Sequence, residues 1–238
     1  MGEPTSRRNG IRRAELLPVV EMFAELELWE DSVERTPAEQ MAVDEVLLVR
    51  ATAVVLRTYR WEAPAATFGY AQHWNDVRAR TGTLPLVRRW TGGGVVFHGE
   101  DFTIGLAIPA AFGFQKKQTP EIYEEIHGAI REAFGRVRTD VRLAGPEDCR
   151  PGAECFTSPA RSDLLAGAEK LCGGALRRGK AGVIYQGSIQ GTSLPEPVQI
   201  AAALAAAVRR FENAAEIARE AGRLAQKKYS TASWNEMR

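Results

Sequence analysis

Three groups of residues in this chain have the types and spacing for chemistry. The first is the run Arg88-Arg89-Trp90-Thr91-Gly92-Gly93-Gly94-Val95-Val96-Phe97-His98. Its glycines remove every Cβ from Gly92 to Gly94, so a bound group can approach the main chain closely. They open onto the β-prone Val95-Val96-Phe97, whereas a P-loop or a dinucleotide fingerprint opens a helix, so both phosphate-loop readings fail. A tight glycine turn between strands, without a ligand, is the competing reading. The second group is Lys170 beside Leu171, Cys172, Gly173, Gly174 and Ala175. A lysine stem there crosses apolar surface and its ammonium needs a partner, for which an acyl carbonyl or a phosphate would serve. A lysine guarding an exposed strand edge is the alternative. The third is Cys155: a thiol is nucleophilic as its thiolate, and a fixed cation nearby lowers its pKa, although a free cysteine is also commonly a buried apolar residue.

The elements that must position these groups follow from periodicity. Residues 86–90 read as a strand, followed by the glycine turn and a hairpin whose own turn is His98, Gly99, Glu100 and Asp101. Beyond it Phe102, Ile104, Leu106 and Ile108 share one strand face suited to a core. Thr103, Gly105 and Ala107 share the other, small enough to floor a narrow apolar groove. Upstream, residues 25–29, 53–61 and 66–71 read as strands, with Trp61 and Phe68 as packing aromatics. Pro37 opens a helix with a stripe of Met41, Val43, Val46, Leu47 and Val49, and residues 74–80 form a short helix. Thr119-Pro120 caps a helix carrying Ile122, Ile126, Ile130 and Ala133, with His127 on the margin of that stripe as a structural histidine. Residues 140–144, 163–166, 170–177 and 182–189 read as strands, and residues 196–211 and 214–228 as helices. Residues 145–160 form the one long loop, a place where function concentrates. This order predicts an α+β fold, with helices packed on a mostly antiparallel mixed sheet. It also predicts one domain over residues 25–238 behind a flexible leader of residues 1–24.

Composition excludes several classes. Of 238 residues 45% are hydrophobic and 26% charged, and the formal net charge is +1, so neither a basic nucleic-acid field nor an acidic tail is present. No run approaches the ~18 apolar residues of a membrane span. Arg7, Arg8, Arg12 and Arg13 precede no apolar segment of the secretory kind. Cys149, Cys155 and Cys172 are too few, and odd in number, for a disulfide framework, which points to a reducing cytoplasm. His73, His98 and His127 are isolated and the cysteines lie too far apart for a zinc knuckle, so no metal is expected.

The glycine run resembles the RRxSGGGxVxH segment of the lipoate–protein ligase and octanoyltransferase family, relatives of biotin–protein ligase, with Thr91 at the hydroxyl position. Tyr59, Trp61, Pro64, Thr67, Gly69 and Gln72 fit its Y-x-W-x-x-P-x-x-S-x-G-x-x-Q string. Met41, Ala42, Asp44, Glu45, Leu47 and Leu48 fit its N-MAxDExLL helix, with Gln40 in place of asparagine. Lys170, Gly173 and Ala175 fit its K-x-x-G-x-A motif. Spanning roughly residues 25–234, the resemblance implies a biotin/lipoate protein ligase catalytic-domain-like fold. It implies an acyl pocket walled by Arg89, Thr91, Gly92, Gly93, Gly94 and His98, completed by Gly173 and Gln186, with Lys170 on the acyl group. Gln186 stands where the family's H-G-[ST] turn has histidine, and glutamine cannot shuttle protons. The string from Cys155 resembles the C-F-x-x-P-S-x-Y-E-[IL] of cysteine-dependent octanoyltransferases and keeps Cys155, Phe156 and Pro159. It departs at Ala160, Ser162 and Asp163, of which the last two partly match an asparagine–aspartate pair of the ligases.

The resemblance thus implies an acyltransferase in which Cys155 is the nucleophile, with Cys149 discounted and Cys172 as core filler. It takes an octanoyl or lipoyl group from acyl carrier protein and passes it to a lysine of the glycine-cleavage H protein or an E2 lipoyl domain. No metal or nucleotide is required, and an end without the ligases' C-terminal accessory domain favours this reading. The alternative is a lipoate–protein ligase that uses ATP and Mg²⁺ and passes through lipoyl-AMP. A lesser one is a non-catalytic acyl- or carrier-binding homologue.

Overall fold

Alternating apolar side chains lay down a sheet, and helical stripes cover its two faces. The structure is a computed structural model and describes residues 22–149 and 159–238. The strands are Phe23–Asp31 (β1), Val55–Tyr59 (β2), Ala65–Phe68 (β3), Leu86–Arg88 (β4), Val96–His98 (β5), Phe102–Pro109 (β6), Val141–Leu143 (β7), Leu164–Ala166 (β8), Glu169–Gly179 (β9), Gly182–Ile189 (β10) and Ala205–Arg210 (β11). The helices are Pro37–Arg50 (α1), Trp74–Thr81 (α2), Thr119–Phe134 (α3), Pro197–Leu204 (α4), Ala214–Leu224 (α5) and Ala232–Asn235 (α6). Eight strands form one sheet in the order β11-β1-β2-β6-β10-β9-β8-β7, and β4-β3-β5 form a second. In the large sheet β1 runs parallel to β11 and β2, and every other pairing is antiparallel. The fold class is therefore α+β as expected.

The amphipathic stripe of α3 puts Ile122, Ile126, Ile130 and Phe134 against Phe102, Ile104, Leu106 and Ile108 of β6, in a core that α4 completes. Burying one such side chain fully is worth roughly 1.5–3 kcal/mol. On the opposite face α1 buries Met41, Val43, Val46 and Leu47 against Val55, Tyr59 and Ala107. Helix α1 starts with a reciprocal cap: the Thr36 hydroxyl accepts the Glu39 N–H and the Glu39 carboxylate accepts the Thr36 N–H. The small face of β6 is small because α1 lies on it. A Cβ on Gly105 would stand 2.8 Å from Asp44 Oδ1.

The structure corrects three expectations. Strands β5 and β6 are not a hairpin: β5 pairs with β3 in the small sheet, whereas β6 pairs with β2 and β10 in the large one. Long β6 finds ladders on both edges, which short β5 could not supply. The alanine-rich stretch expected as helix to residue 211 leaves the helix at Leu204 and continues as β11, an edge strand parallel to β1. The ladder to β1 overrides the local helix propensity of alanine. Helix α3 is capped by Gln118, one residue before the expected Thr119. Among the described residues no helix is long and apolar enough to cross a membrane.

Candidate active site

Strand β4 delivers the two arginines to opposite duties. Arg88 is fully buried and donates to the carbonyls of Tyr70, Gln72, Trp234 and Asn235, tying α6 to the base of the glycine turn. Arg89 turns inward. It donates to Thr67 Oγ1 at 2.7 Å and to the carbonyls of Gly92 and Gly94 at 2.9 and 2.7 Å. One guanidinium therefore holds the glycine turn at two points, and its planar fork suits that task better than an ammonium would. Gly93 has φ 87°, a left-handed conformation, and its carbonyl oxygen would lie 1.9 Å from a Cβ on Gly69. Two glycines on separate segments thus allow one close backbone crossing.

His98, at the end of β5, stacks on Trp61 with ring centroids 4.0 Å apart. Its Nε2 lies 2.8 Å from Thr67 Oγ1 and its Nδ1 2.8 Å from Asp101 Oδ2. Thr67 already accepts from Arg89, so its single hydroxyl proton is free to go to Nε2, which places the ring proton on Nδ1, donating to Asp101. Burial lowers the His98 pKa, with the Asp101 hydrogen bond and charge opposing, so the ring is neutral near pH 7. Asp101 also accepts from Ser188 at 2.6 Å, from Thr103 at 3.0 Å and from the Gly99 N–H. Burial opposes its ionisation, but these bonds and His98 hold its carboxyl below the usual range. Trp61 completes the group by donating to Thr103 Oγ1 at 2.8 Å, so this aromatic packs and also lines the site.

A charged chain supports the opposite side. Arg57 is fully buried between Asp31 and Asp44, each 2.8 Å away. Asp44 accepts from Gln186 Nε2 at 2.6 Å, and Gln186 Oε1 accepts from the Thr91 hydroxyl at 2.7 Å. Gln186 thus donates on one side and accepts on the other, linking α1 through β10 to the glycine turn. Burial and the Asp44 charge push the Tyr59 phenol, also on Asp44, well above its ordinary pKa.

Lys170 is buried in β9, flanked by β8 and β10, which excludes the edge-lysine alternative. Its ammonium pairs with Asp163, 2.7 Å away, so the carbonyl or phosphate expected from the sequence is not needed to satisfy it. A Cβ on Gly173 would meet Lys170 Cε at 2.5 Å, so the glycine makes room for the lysine. Cys172 sits in the core, its thiol pushed up to about 12 by burial, unreactive as expected. Cys149 is exposed. Cys155, the expected nucleophile, lies outside the described residues.

These walls line a narrow cleft that opens to solvent. Arg89, Gly93, His98, Lys170, Gly173 and Gln186 all line it. Thr91, Gly92 and Gly94 stand behind that lining through their bonds to Gln186 and Arg89. Met41, Tyr59, Val96 and Ala175 supply apolar surface. Sequence reasoning missed Asp101, Ser188 and Asp44 as supports and Asp163 as the partner of Lys170. The spacing of Asp163 from Lys170 was visible, but the turn that joins them was not. Among the described residues no group of three metal-binding side chains stands together.

The sequence matches the lipoyl protein ligase A/B catalytic domain over residues 36–215. The chain belongs to that family. A curated relative, octanoyltransferase LipM of Geobacillus kaustophilus (strain HTA426), is 31% identical over 181 residues, covering 68% of this chain and 65% of the relative. The chain spans about three fifths to two thirds of the length of such relatives. Among solved structures, lipoate–protein ligase A bound with ATP superposes with TM-score 0.64 at 19% identity, covering 89% of this chain and 98% of that one. The bipartite lipoate–protein ligase of Thermoplasma acidophilum, described with its E2 lipoyl domain, gives TM-score 0.65 at 17% identity, over 89% and 96%. At these identities the structures bear on the fold, which they share with this lipoyl protein ligase-family domain.

Proposed function

We propose that this member of the lipoyl protein ligase family is an acyltransferase that moves an octanoyl (or lipoyl) group from acyl carrier protein to a lysine of a lipoyl-carrier domain. The observation that carries the reading is the cleft itself, an apolar slot between a rigid glycine turn and one buried ammonium. The octanoyltransferase LipM relatives favour the transferase over other activities of the family. The Cys155 thiolate attacks the donor thioester carbonyl, a new C–S bond forms, the donor C–S bond breaks, and the carrier's thiolate leaves to be protonated by solvent. The acceptor lysine's amine then attacks the acyl-Cys155 thioester, a C–N bond forms, the amine loses a proton and the Cys155 thiolate departs. Lys170 supplies positive charge where the carbonyl oxygen becomes anionic, the electrostatic logic of acyl transfer. His98, neutral and held at both nitrogens, shapes the wall. ATP, Mg²⁺ and other cofactors have no part in this scheme. The acceptor is an H protein or an E2 lipoyl domain, the latter being the partner named for the bipartite ligase. Residues 25–238 act as one catalytic domain in a cytoplasmic enzyme.

A second reading, an ATP- and Mg²⁺-dependent lipoate–protein ligase, is favoured by Asp163 beside Lys170, since an aspartate before the lysine strand is the ligase pattern. Intact mass after incubation with octanoyl–acyl carrier protein, without ATP, separates the two. A hydroxylamine-sensitive octanoyl adduct that disappears in Cys155→Ala is the expected result. Lipoylation of an H protein that requires ATP and survives Cys155→Ala would replace the transferase by the ligase.

A further inference from the structure

His127 does more than fill the core. It is 1% exposed on α3, yet both ring nitrogens are engaged, Nδ1 2.5 Å from the Ser162 carbonyl and Nε2 2.7 Å from the Tyr185 hydroxyl. A carbonyl can only accept, so the ring proton is on Nδ1 and Nε2 accepts from Tyr185. Burial lowers the His127 pKa, consistent with a neutral ring. Tyr185 is itself fixed, because its ring occupies the space of two missing side chains. A Cβ on Gly174 or Gly187 would stand 2.5 or 2.6 Å from its hydroxyl.

The residue that His127 holds is unusual. Ser162 has φ 71°, a left-handed conformation that costs a side-chain-bearing residue energy and persists only where the surroundings impose it. Its N–H donates to the Ala144 carbonyl at 2.9 Å, the Ala144 N–H returns a bond to Asp163 O at 2.7 Å, and His127 takes the carbonyl between them. With the Ser162–Asp163 peptide held this way, the Asp163 carboxylate meets Lys170 Nζ at 2.7 Å and accepts the Ala160 N–H at 2.6 Å.

We infer that His127 is a positioning residue for the acyl-transfer site: by donating Nδ1–H to Ser162 it locks the left-handed turn that aims Asp163, and through Asp163 it sets where the Lys170 ammonium stands in the cleft. The inference rests on Lys170 acting there, as proposed above. It predicts a dependence on one hydrogen bond, not on bulk. An asparagine amide can reach the place of Nδ1, whereas leucine fills the space and donates nothing. In His127→Leu, turnover should fall about 10- to 100-fold with carrier KM little changed, the scale of a small misplacement of a catalytic group. His127→Asn should stay within a few fold of the parent.

A readout independent of turnover is the Cε–Hε resonance of Lys170 in ¹³C-lysine-labelled protein, assigned by its loss in Lys170→Arg. It should move toward the position of exposed lysines in His127→Leu and stay in place in His127→Asn. An unmoved resonance in folded His127→Leu, or an equal displacement in both variants, overturns the inference even if octanoyl transfer is confirmed. Should the parent transfer nothing, the resonance still decides it. If His127→Leu does not fold, Tyr185→Phe, which removes only the hydroxyl that orients the ring, should move the resonance in the same direction by less, and no movement would likewise overturn it.

Discussion

The two walls of the cleft are held by different means. The glycine wall is fixed locally and at the backbone: the nearby Arg89 side chain clamps the Gly92 and Gly94 carbonyls, and Gly69 and Gly93 cross in contact. The lysine wall depends on side chains from three separated segments, with His127 on α3, Asp163 ahead of β8 and Lys170 on β9. A backbone-built wall is stiff, and an error in it should appear first as lost stability. A wall built from an ion pair, a histidine hydrogen bond and one strained turn should show an error first as lost rate.

Removal of the ammonium tests that contrast most strongly. Lys170→Ala should lower turnover about 10²- to 10³-fold, some 2.7–4 kcal/mol of barrier, the loss expected for a group opposing a developing oxyanion. Single-turnover kinetics with an acyl carrier substrate would measure it. Equal turnover in parent and variant would remove Lys170 from the chemistry. On the other wall, Gly69→Ala must displace the Gly93 carbonyl and should destabilise the fold by about 1–3 kcal/mol, the usual cost of overpacking, read from denaturant unfolding. A neutral result there would show that the glycine wall yields.

Gln186 joins the walls and should show both effects. Gln186→Leu leaves the Asp44 carboxylate and the Thr91 hydroxyl each short of a buried partner, at a cost of roughly 1–3 kcal/mol. Gln186→His, which keeps one polar contact, should recover part of that stability. The smallest effect is expected from pH. His98, facing Asp101 and Arg89, and His127, facing Asp163, Lys170 and Tyr185, both have pKa values lowered by burial below the ordinary 6.5. The unfolded chain then binds protons that the folded one refuses, so stability is lost as pH falls below about 6.5. Asp101, lowered too, extends the loss to more acid pH. His98→Phe should flatten the first part of that slope in thermal unfolding; an unchanged slope would show that His98 titrates normally.

Much of the glycine wall was legible because its signal is local. Missing Cβ atoms, a flanking arginine and a following β-prone run stand within eleven consecutive residues. Lys170 was legible as an anomaly, a charge among small strand residues, but its partner was not. The link to Asp163 passes through a left-handed Ser162, and no residue type announces that conformation the way glycine would. His127 looked like an ordinary marginal core residue for the same reason: its meaning lies in a carbonyl thirty-five positions away.

Residue order by itself determined most of the element types, the alternation that gives β6 a large and a small face, and the motifs that place the chain among lipoyl protein ligases. These depend on interactions within a few positions of each residue. Tertiary structure alone decided that β5 and β6 part into separate sheets and that the alanine-rich segment becomes edge strand β11. It also decided that a glutamine on β10 bridges α1 to the glycine turn. In each case a distant hydrogen-bonding partner, available only once the sheet had formed, outweighed the local preference.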